Sequence, residues 1–154
     1  MDYIIEESGK IIAQIAYSTN NLVVDGRKIA DVVTLGPLCV HPDYQRMGYA
    51  KKLIEYTMEK AKDLGIPFIF VIGDEKFYEP FGFESASEYG IQYNDIQDET
   101  PFFMVKVFDE DKINSLHGIY IDNPCFNVDE NELEEFDKKF PFKKKEKLDG
   151  QLDF

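Results

Sequence analysis

The segment of the chain with the clearest chemical potential is Gln45-Arg46-Met47-Gly48-Tyr49-Ala50. Gly48 and Ala50 carry little or no side chain, so an anionic group such as a phosphate can approach the backbone closely. Gln45 and Arg46 add side-chain hydrogen-bond donors, and the guanidinium group adds a positive charge. The spacing therefore predicts a cradle for an anion.

A broken strand precedes this segment. The β-branched run at 29–35 is interrupted by Gly36-Pro37 and resumes at Leu38-Cys39-Val40. Proline has no N–H for a strand ladder and glycine has no side chain to pack. The pair therefore predicts a bulge that leaves backbone groups unpaired.

A helix follows the segment. Apolar residues recur at helical spacing from Ala50 to Leu64, and Gly65 and Pro67 then provide a stop signal. The pattern predicts a helix whose first turn covers Arg46 to Ala50. Its free N–H groups and the positive end of its dipole would then point at the bound anion.

A second segment carries a potential proton donor, Phe77-Tyr78-Glu79-Pro80-Phe81-Gly82-Phe83. It resembles the Tyr-x-x-Phe-Gly-Phe signature of the GNAT superfamily of N-acetyltransferases. The segment starting at Gln45 is similar to motif A of the same superfamily, whose pattern is Gln/Arg-x-x-Gly-x-Gly/Ala. The broken strand, the His41-Pro42-Asp43 turn and the helix agree with that motif, and the resemblance extends from about Tyr3 to Tyr93.

The resemblance implies an α/β (α+β) fold, in which a central mixed, mostly antiparallel sheet contains a splayed parallel strand pair and is flanked by helices. It also implies acetyl-CoA as cosubstrate and no metal. The pantetheine arm would bind the main chain of Leu38, Cys39 and Val40. The remaining cofactor-binding residues implied are Gln45, Arg46, Met47, Gly48, Tyr49, Ala50 and Lys51.

The activity implied is transfer of an acetyl group to a primary amine of a small molecule or a protein, by direct attack in a ternary complex. By resemblance, Tyr78 is the catalytic residue that protonates or hydrogen-bonds the leaving sulfur. A thiol pKa near ~8.5 and a tyrosine pKa near ~10 suit that role. A backbone N–H near Cys39 or Val40 would stabilise the thioester oxygen.

The general base is left open. The glutamate that serves the histone-acetyltransferase branch is replaced by Thr34, which cannot be a base. Asp31, Tyr17 or a chain of waters are the alternatives. We expect His41 to serve its turn structurally and Cys39 to be a small buried thiol.

The remaining apolar runs predict further elements. A hairpin at 3–17 turns at Ser8-Gly9-Lys10 and pairs with the 29–40 strand across Asp25-Gly26-Arg27. Phe68–Ile72 reads as a buried strand, parallel to the 29–40 strand through a right-handed crossover. Strands are also predicted at 101–108 and 118–121, and helices at 73–79, 111–116 and 129–140.

The length of 154 residues suits one domain. We expect a single acetyl-CoA-binding domain at 1–140 and a charged, flexible tail at 141–154. Most members of the superfamily begin with another strand and helices, which form one wall of the acceptor site and are lacking here. The C-terminal third, another subunit in a homodimer, or a reading frame that starts late are the explanations left open.

Composition argues against nucleic acid, a membrane and a zinc ion as partners. A formal charge of −13 disfavours nucleic acid. The sequence has no apolar run of the ~20 residues that span a bilayer and no basic start typical of a signal peptide, so we predict a cytoplasmic protein without a membrane partner. Cys39 and Cys125 are too few for a disulfide framework or a zinc site.

Two other functions are compatible with these residues. One is a noncatalytic module that binds or senses acyl-CoA, which the missing wall and the missing acidic base favour. The other is an unrelated nucleotide-binding α/β domain whose Gly48 loop holds a different phosphate. That alternative leaves the segment from Tyr78 to Phe83 unexplained.

Overall fold

The computed structural model describes residues 1–94, 96, 98–126 and 128–144. Its strands are β1 (Asp2–Glu7), β2 (Lys10–Val24), β3 (Arg27–Val40), β4 (Phe68–Ile72), β5 (Glu84–Ser85), β6 (Ile91–Tyr93), β7 (Phe103–Val107) and β8 (Gly118–Ile121). Its α-helices are α1 (Tyr49–Asp63), α2 (Glu75–Tyr78), α3 (Glu110–Asn114) and α4 (Glu130–Asp137). Short 3₁₀ turns occupy several of the connections.

The eight strands form one mixed sheet in the order β5-β7-β4-β3-β2-β8-β6, with β1 beside β2. β1, β2 and β3 make the predicted antiparallel meander, and β4 lies parallel to β3 across the α1 crossover as predicted. β6 and β8 form a second parallel pair that the sequence did not predict. The mixed, mostly antiparallel sheet with flanking helices is confirmed.

The predicted break in β3 is present as a bulge. Leu35 pairs with Tyr17 and Leu38 pairs with Ile15, so Gly36 and Pro37 together oppose one residue of β2. The parallel pairing of β3 with β4 covers three rungs and ends at Leu35 and Val71. Beyond that rung the two strands separate, and the last residues of β3 pair only with β2 among the described residues.

The helix α1 begins at Tyr49, so the prediction that its first turn covers Arg46 was wrong. Arg46 and Gly48 have φ angles of 61° and 87°, in the left-handed region, which prolongs the loop to Gly48. The Lys52 N–H donates to the Gly48 carbonyl at 3.0 Å. The N–H groups of the first helical turn before Lys52 therefore have no partner within the helix.

The predicted stop of α1 is correct. Gly65 has a φ of 70°, and its N–H donates to the Lys62 carbonyl at 2.9 Å. The Ile66 N–H donates to the Ala61 carbonyl at 3.0 Å, which completes a Schellman motif. The helix consequently ends just before β4 begins.

Two apolar cores lie on opposite faces of the sheet. On one face, Leu53 and Ile54 of α1 pack against the strands near the site where β3 and β4 separate. On the other face the sheet curls, because the Tyr93 ring of β6 lies 5.2 Å from the Phe103 ring of β7. The second core, which includes Phe70, fills that curl.

Several predicted bounds were wrong. β2 continues to Val24 rather than ending at Tyr17, and α4 is shorter than the predicted 129–140 helix. The end of the predicted flexible tail, 145–154, lies outside the described residues. Across the described ranges, no helix is long and apolar enough to cross a membrane, and no group of three His, Cys, Asp or Glu side chains could hold a metal ion.

Candidate functional site

A cleft of about 430 Å³ opens where β3 and β4 separate, in front of the first turn of α1. The residues that line it come from the end of β3, the following loop, α1, α2 and the turn after α2. They are Leu38, Val40, Tyr44, Gln45, Arg46, Gly48, Tyr49, Ala50, Lys51, Phe77, Tyr78 and Phe81. Eight of the ten residues predicted to bind a cofactor are in this set, together with the predicted catalytic Tyr78.

The register of β2 and β3 determines which backbone groups face the cleft. The His41 N–H donates to the Ile12 carbonyl at 2.8 Å, so this pair is hydrogen-bonded. Bonded and non-bonded pairs alternate along an antiparallel ladder. The pair formed by Cys39 and Gln14 is therefore bonded too, whereas the N–H and C=O groups of Leu38 and Val40 point away from β2 and into the gap.

Cys39 and Met47 lie outside the cleft lining. The backbone groups of Cys39 are used by β2, and its side chain is exposed, so the expectation of a buried thiol was wrong. The side chain of Met47 is 64% exposed. It stands between Arg46 and Gly48, two residues with left-handed φ angles.

The loop before α1 is held by its own hydrogen bonds. His41 Nδ1 accepts the Asp43 N–H at 3.3 Å and begins the 3₁₀ turn Pro42–Tyr44, in line with the structural role expected for this histidine. Gln45 Nε2 donates to the Val40 carbonyl at 3.2 Å. One end of the cleft thus carries backbone acceptors and donors together with the amide of Gln45.

The charge of the cleft lining is positive. Arg46 and Lys51 line it, and no carboxylate or imidazole does among the described lining residues. Two carboxylates contact lining side chains from outside the cleft: Glu7 Oε1 accepts the Tyr49 hydroxyl at 3.4 Å, and Glu55 Oε1 lies 3.6 Å from Lys51 Nζ. The positive side chains and the free N–H groups of α1 make this end suitable for an anion.

Tyr78 occupies the other wall of the cleft. Its ring is 9% exposed and packs edge-on against Phe77 and Phe83, at 4.9 and 5.5 Å between ring centroids. Burial raises the pKa of the Tyr78 hydroxyl to about 12. Within the part of the chain that the structure describes, no side chain hydrogen-bonds to this hydroxyl.

Gly73 makes room for the Tyr78 ring, a role that sequence reasoning missed. A β-carbon at Gly73 would collide with the ring of Tyr78. The next residue, Asp74, caps α2 by accepting the Lys76 N–H at 3.1 Å. The Gly-Asp pair directly before α2 is the signal that could have indicated this arrangement.

The alternatives for a general base do not line the cleft. Asp31 has a side chain 61% exposed and forms an ion pair with Lys28. Tyr17 is bonded to Thr57 at 2.6 Å, and burial raises its pKa to about 12. Thr34, which cannot act as a base, is buried and bonded to Tyr120 at 2.8 Å.

The fold and the cleft define a class of protein, a mixed-sheet scaffold in which a cleft with a positively charged lining opens at a split parallel strand pair. The sequence model of the acetyltransferase (GNAT) family matches residues 1–83, more than half of the chain. The chain therefore belongs to the acetyltransferase (GNAT) family. It is also similar to YjhQ of Escherichia coli K12, an uncharacterised N-acetyltransferase, with 40% identity over 53 residues.

Solved structures show the same fold. YhbS of Escherichia coli, a GNAT family N-acetyltransferase in complex with CoA, superposes with a TM-score of 0.69 at 24% identity over 80% of this chain. A GNAT family acetyltransferase from Brucella melitensis in complex with acetyl-CoA gives 0.62 at 22% identity over 82%. The chain spans 66% of that YhbS structure, 68% of the Brucella one and 29% of YjhQ.

Proposed function

We propose that this protein is an N-acetyltransferase that binds acetyl-CoA in the cleft and transfers its acetyl group to a primary amine. The observation that carries the proposal is the unengaged Tyr78 hydroxyl, which stands in a cleft whose opposite end is an anion cradle. Family membership and the CoA-bound structures of similar fold support it.

In this proposal the phosphates of acetyl-CoA lie at the first turn of α1. The N–H groups of Gly48, Tyr49 and Ala50 point there, and Arg46 and Lys51 supply positive charge. Gln45 and the main chain of Met47 complete the loop. The pantetheine arm follows Leu38 and Val40, whose backbone groups face the gap, while Cys39 contributes no backbone contact.

The reaction forms a C–N bond and breaks the C–S bond of the thioester. The proton lost by the attacking amine ends on the sulfur of free CoA. A Tyr78 hydroxyl with a pKa of about 12 keeps its proton beside a thiol whose pKa is ~8.5. In this proposal Tyr78 therefore stabilises the leaving thiolate as a hydrogen-bond donor and does not protonate it. Of the two roles that the sequence allowed, proton donor and hydrogen-bond donor, we propose the second.

Deprotonation of the amine falls to solvent in this proposal, since no described side chain lining the cleft is a carboxylate or an imidazole. The same observation favours a second candidate function, a noncatalytic module that binds acyl-CoA. The two functions differ only in turnover. A panel of small primary amines and lysine peptides, assayed for release of free CoA, separates them.

The first experiment is calorimetric titration with acetyl-CoA. Gly48→Glu places a negative side chain in the cradle and should abolish micromolar binding by the native chain. Gly26→Glu is the matched control, because Gly26 also has a left-handed φ, 72°, and open space around its α-carbon, but lies in the turn between β2 and β3. This control should bind as the native chain does.

The outcomes distinguish the candidates. Binding that is lost in Gly48→Glu and kept in Gly26→Glu supports the cofactor site. No binding of acetyl-CoA to the native chain overturns both the enzyme and the acyl-CoA module. Displacement of acetyl-CoA by ATP or NAD would instead indicate a nucleotide-binding domain.

The proposed acceptor is a primary amine of a small molecule or a protein, and the proposed partner is a second copy of this chain. Ile4 and Ile11 of the β1 and β2 hairpin are 50% and 60% exposed, which offers an apolar surface for a second copy. Sedimentation of the active protein tests this. A fully active monomer would rule out the dimer.

A further inference from the structure

The closed end of the cleft lies at the last rung shared by β3 and β4. That rung joins Leu35 and Val71, and the strands separate beyond it. On the other side of β3, Leu35 pairs with Tyr17 of β2. All three residues belong to the apolar core on the α1 face, so Tyr17 stands level with the closed end of the gap and on the same face as the cleft.

The helix α1 holds the Tyr17 ring in place. Thr57 Oγ1 is fully buried and donates to the Leu53 carbonyl at 2.8 Å. A hydroxyl has one proton, so in the 2.6 Å bond between the two side chains Tyr17 donates and Thr57 accepts. The pair thereby links β2 to α1 across the closed end.

Thr57 of α1 and Leu35 of β3 lie at similar depths below the Gly48 loop. Thr57 lies about nine residues beyond Gly48, which is roughly 13 Å at the helical rise. Leu35 lies about five residues before Val40, roughly 13 to 16 Å at the strand rise, with the bulge shortening this. An arm that enters at the Gly48 loop and follows β3 therefore advances toward Leu35 and the Tyr17–Thr57 pair.

Tyr78 lines the cleft and belongs to the same apolar core on the α1 face as Tyr17. If the thioester sulfur is at the Tyr78 hydroxyl, the acyl group continues inward, away from the Gly48 loop. Tyr17 and Leu35 are not among the residues that line the cleft, and they stand beyond that lining at its closed end.

We propose that the hydrogen-bonded pair of Tyr17 and Thr57 forms the floor of the acyl site and restricts this protein to short acyl groups such as acetyl. The inference rests on the proposed function, because it assumes that an acyl thioester occupies the cleft. It assigns to Tyr17 a role in acyl-chain selection instead of proton transfer.

The test is calorimetric titration of the native chain and three variants with CoA, acetyl-CoA and hexanoyl-CoA. Free CoA has no acyl group, so its affinity reports an intact fold and cradle in each variant. Tyr17→Leu keeps an apolar side chain in the core but shortens it, and Thr57→Ala removes the bond that fixes the ring. Tyr17→Phe is the matched control, because it keeps the ring and loses only the hydroxyl.

The native chain and Tyr17→Phe should bind hexanoyl-CoA about tenfold or more weakly than acetyl-CoA, the scale of inserting methylenes into a packed site. In Tyr17→Leu the difference should fall to about threefold or less, with Thr57→Ala in between. Equal affinities for the two thioesters in the native chain would overturn the inference, as would an unchanged ratio in both Tyr17→Leu and Thr57→Ala. Failure of all three CoA compounds to bind the native chain would refute the proposed function instead.

Discussion

The Tyr78 ring is buried, but among the described residues no fully buried side-chain polar atom lacks a partner, so the Tyr78 hydroxyl keeps access to the cleft. The described side chains provide it with no hydrogen bond, which leaves its proton free to be donated to a ligand. In the proposed reaction that ligand is the sulfur of CoA, on which negative charge develops as the C–S bond breaks.

Removing the hydroxyl tests this role directly. We expect Tyr78→Phe to lower kcat by about 10- to 100-fold, the value of a hydrogen bond to a charged group, and to leave the affinity for acetyl-CoA nearly unchanged. Steady-state kinetics with an amine from the panel, together with calorimetry, provide the measurement. Equal kcat values for the variant and the native chain would remove Tyr78 from the mechanism.

The pH dependence follows from the same pKa. Because the pKa of Tyr78 is raised to about 12, the hydroxyl remains protonated throughout the ordinary assay range and contributes no falling limb there. With an amine that must lose its proton to solvent, kcat/KM should rise about tenfold per pH unit until the pKa of the amine is reached. A fall in kcat/KM that starts near pH 8 or 9 in the native chain and disappears in Tyr78→Phe would show that Tyr78 acts as an acid.

Substitution of Gly73 tests the packing behind the Tyr78 ring. A β-carbon at this position collides with Tyr78, so Gly73→Ala should destabilise the fold by about 1 to 3 kcal/mol and displace the ring from the cleft. Urea unfolding measures the cost. In a Tyr78→Leu background the collision is absent, and the same substitution should then cost much less; an equal cost in both backgrounds would place the strain elsewhere.

Among the elements, β2, β3 and β8 are joined by a buried polar network. Thr34 of β3 accepts a hydrogen bond from Asn20 of β2 and is bonded to Tyr120 of β8, each at 2.8 Å. The network fixes three strands close to the level at which β3 and β4 separate.

Removing one hydroxyl of this network should lower the free energy of unfolding. Tyr120→Phe leaves Thr34 without one partner in a buried site, so the free energy of unfolding should fall by about 1 to 3 kcal/mol in urea titrations. Tyr56→Phe, on a ring that is 50% exposed, is the control and should change it by less than about 0.5 kcal/mol. Equal effects of the two substitutions would mean that the network contributes no stability.

The same strands show what sequence patterns can and cannot predict. Phe68–Ile72 and the body of α1 were predicted because continuous apolar runs, helical spacing and Gly or Pro boundaries are local signals. The extension of β2 was not, because the polar residues around Asn20 favour a loop until Thr34 and other partners satisfy them. Tertiary hydrogen bonds determine that strand.

The candidate site was also predicted only in part. The two motifs located most of the cleft lining and Tyr78, since each motif is a contiguous set of residues. The Cys39 backbone groups face β2 because Cys39 is in a hydrogen-bonded pair of the β2 and β3 ladder. Which pairs of a ladder are bonded cannot be predicted from residue types. The start of α1 was misplaced because a non-glycine residue, Arg46, adopts a left-handed φ.

At the scale of the whole molecule, buried tyrosines make stability depend on alkaline pH. Burial raises the pKa values of Tyr17 and Tyr78 from 10.0 to about 12, and raises those of Tyr93 and Tyr120 as well. The folded state thus holds these protons more tightly than the unfolded chain does. This stability is fully present below pH 10 and is lost as pH rises toward 12.

Urea unfolding at a series of pH values from 8 to 11.5 measures that loss. We expect the free energy of unfolding to be flat to about pH 9.5 and then to fall, with roughly 2 kcal/mol attributable to Tyr78 alone by about pH 11.5. Tyr78→Phe should show a shallower decline. A stability that is constant through pH 11.5 would contradict the assigned pKa values.

The bond between the Gln45 amide and the Val40 carbonyl has a consequence for how the proposed ligand assembles in the cleft. In this structure the amide and the carbonyl bond each other, although the Gln45 amide belongs to the proposed phosphate end and the Val40 carbonyl to the proposed arm end. A phosphate that draws away the amide exposes the carbonyl for the arm, and an arm that bonds the carbonyl releases the amide. The two halves of the ligand should therefore bind cooperatively, so that a nucleotide fragment and a pantetheine fragment together gain affinity that neither has alone.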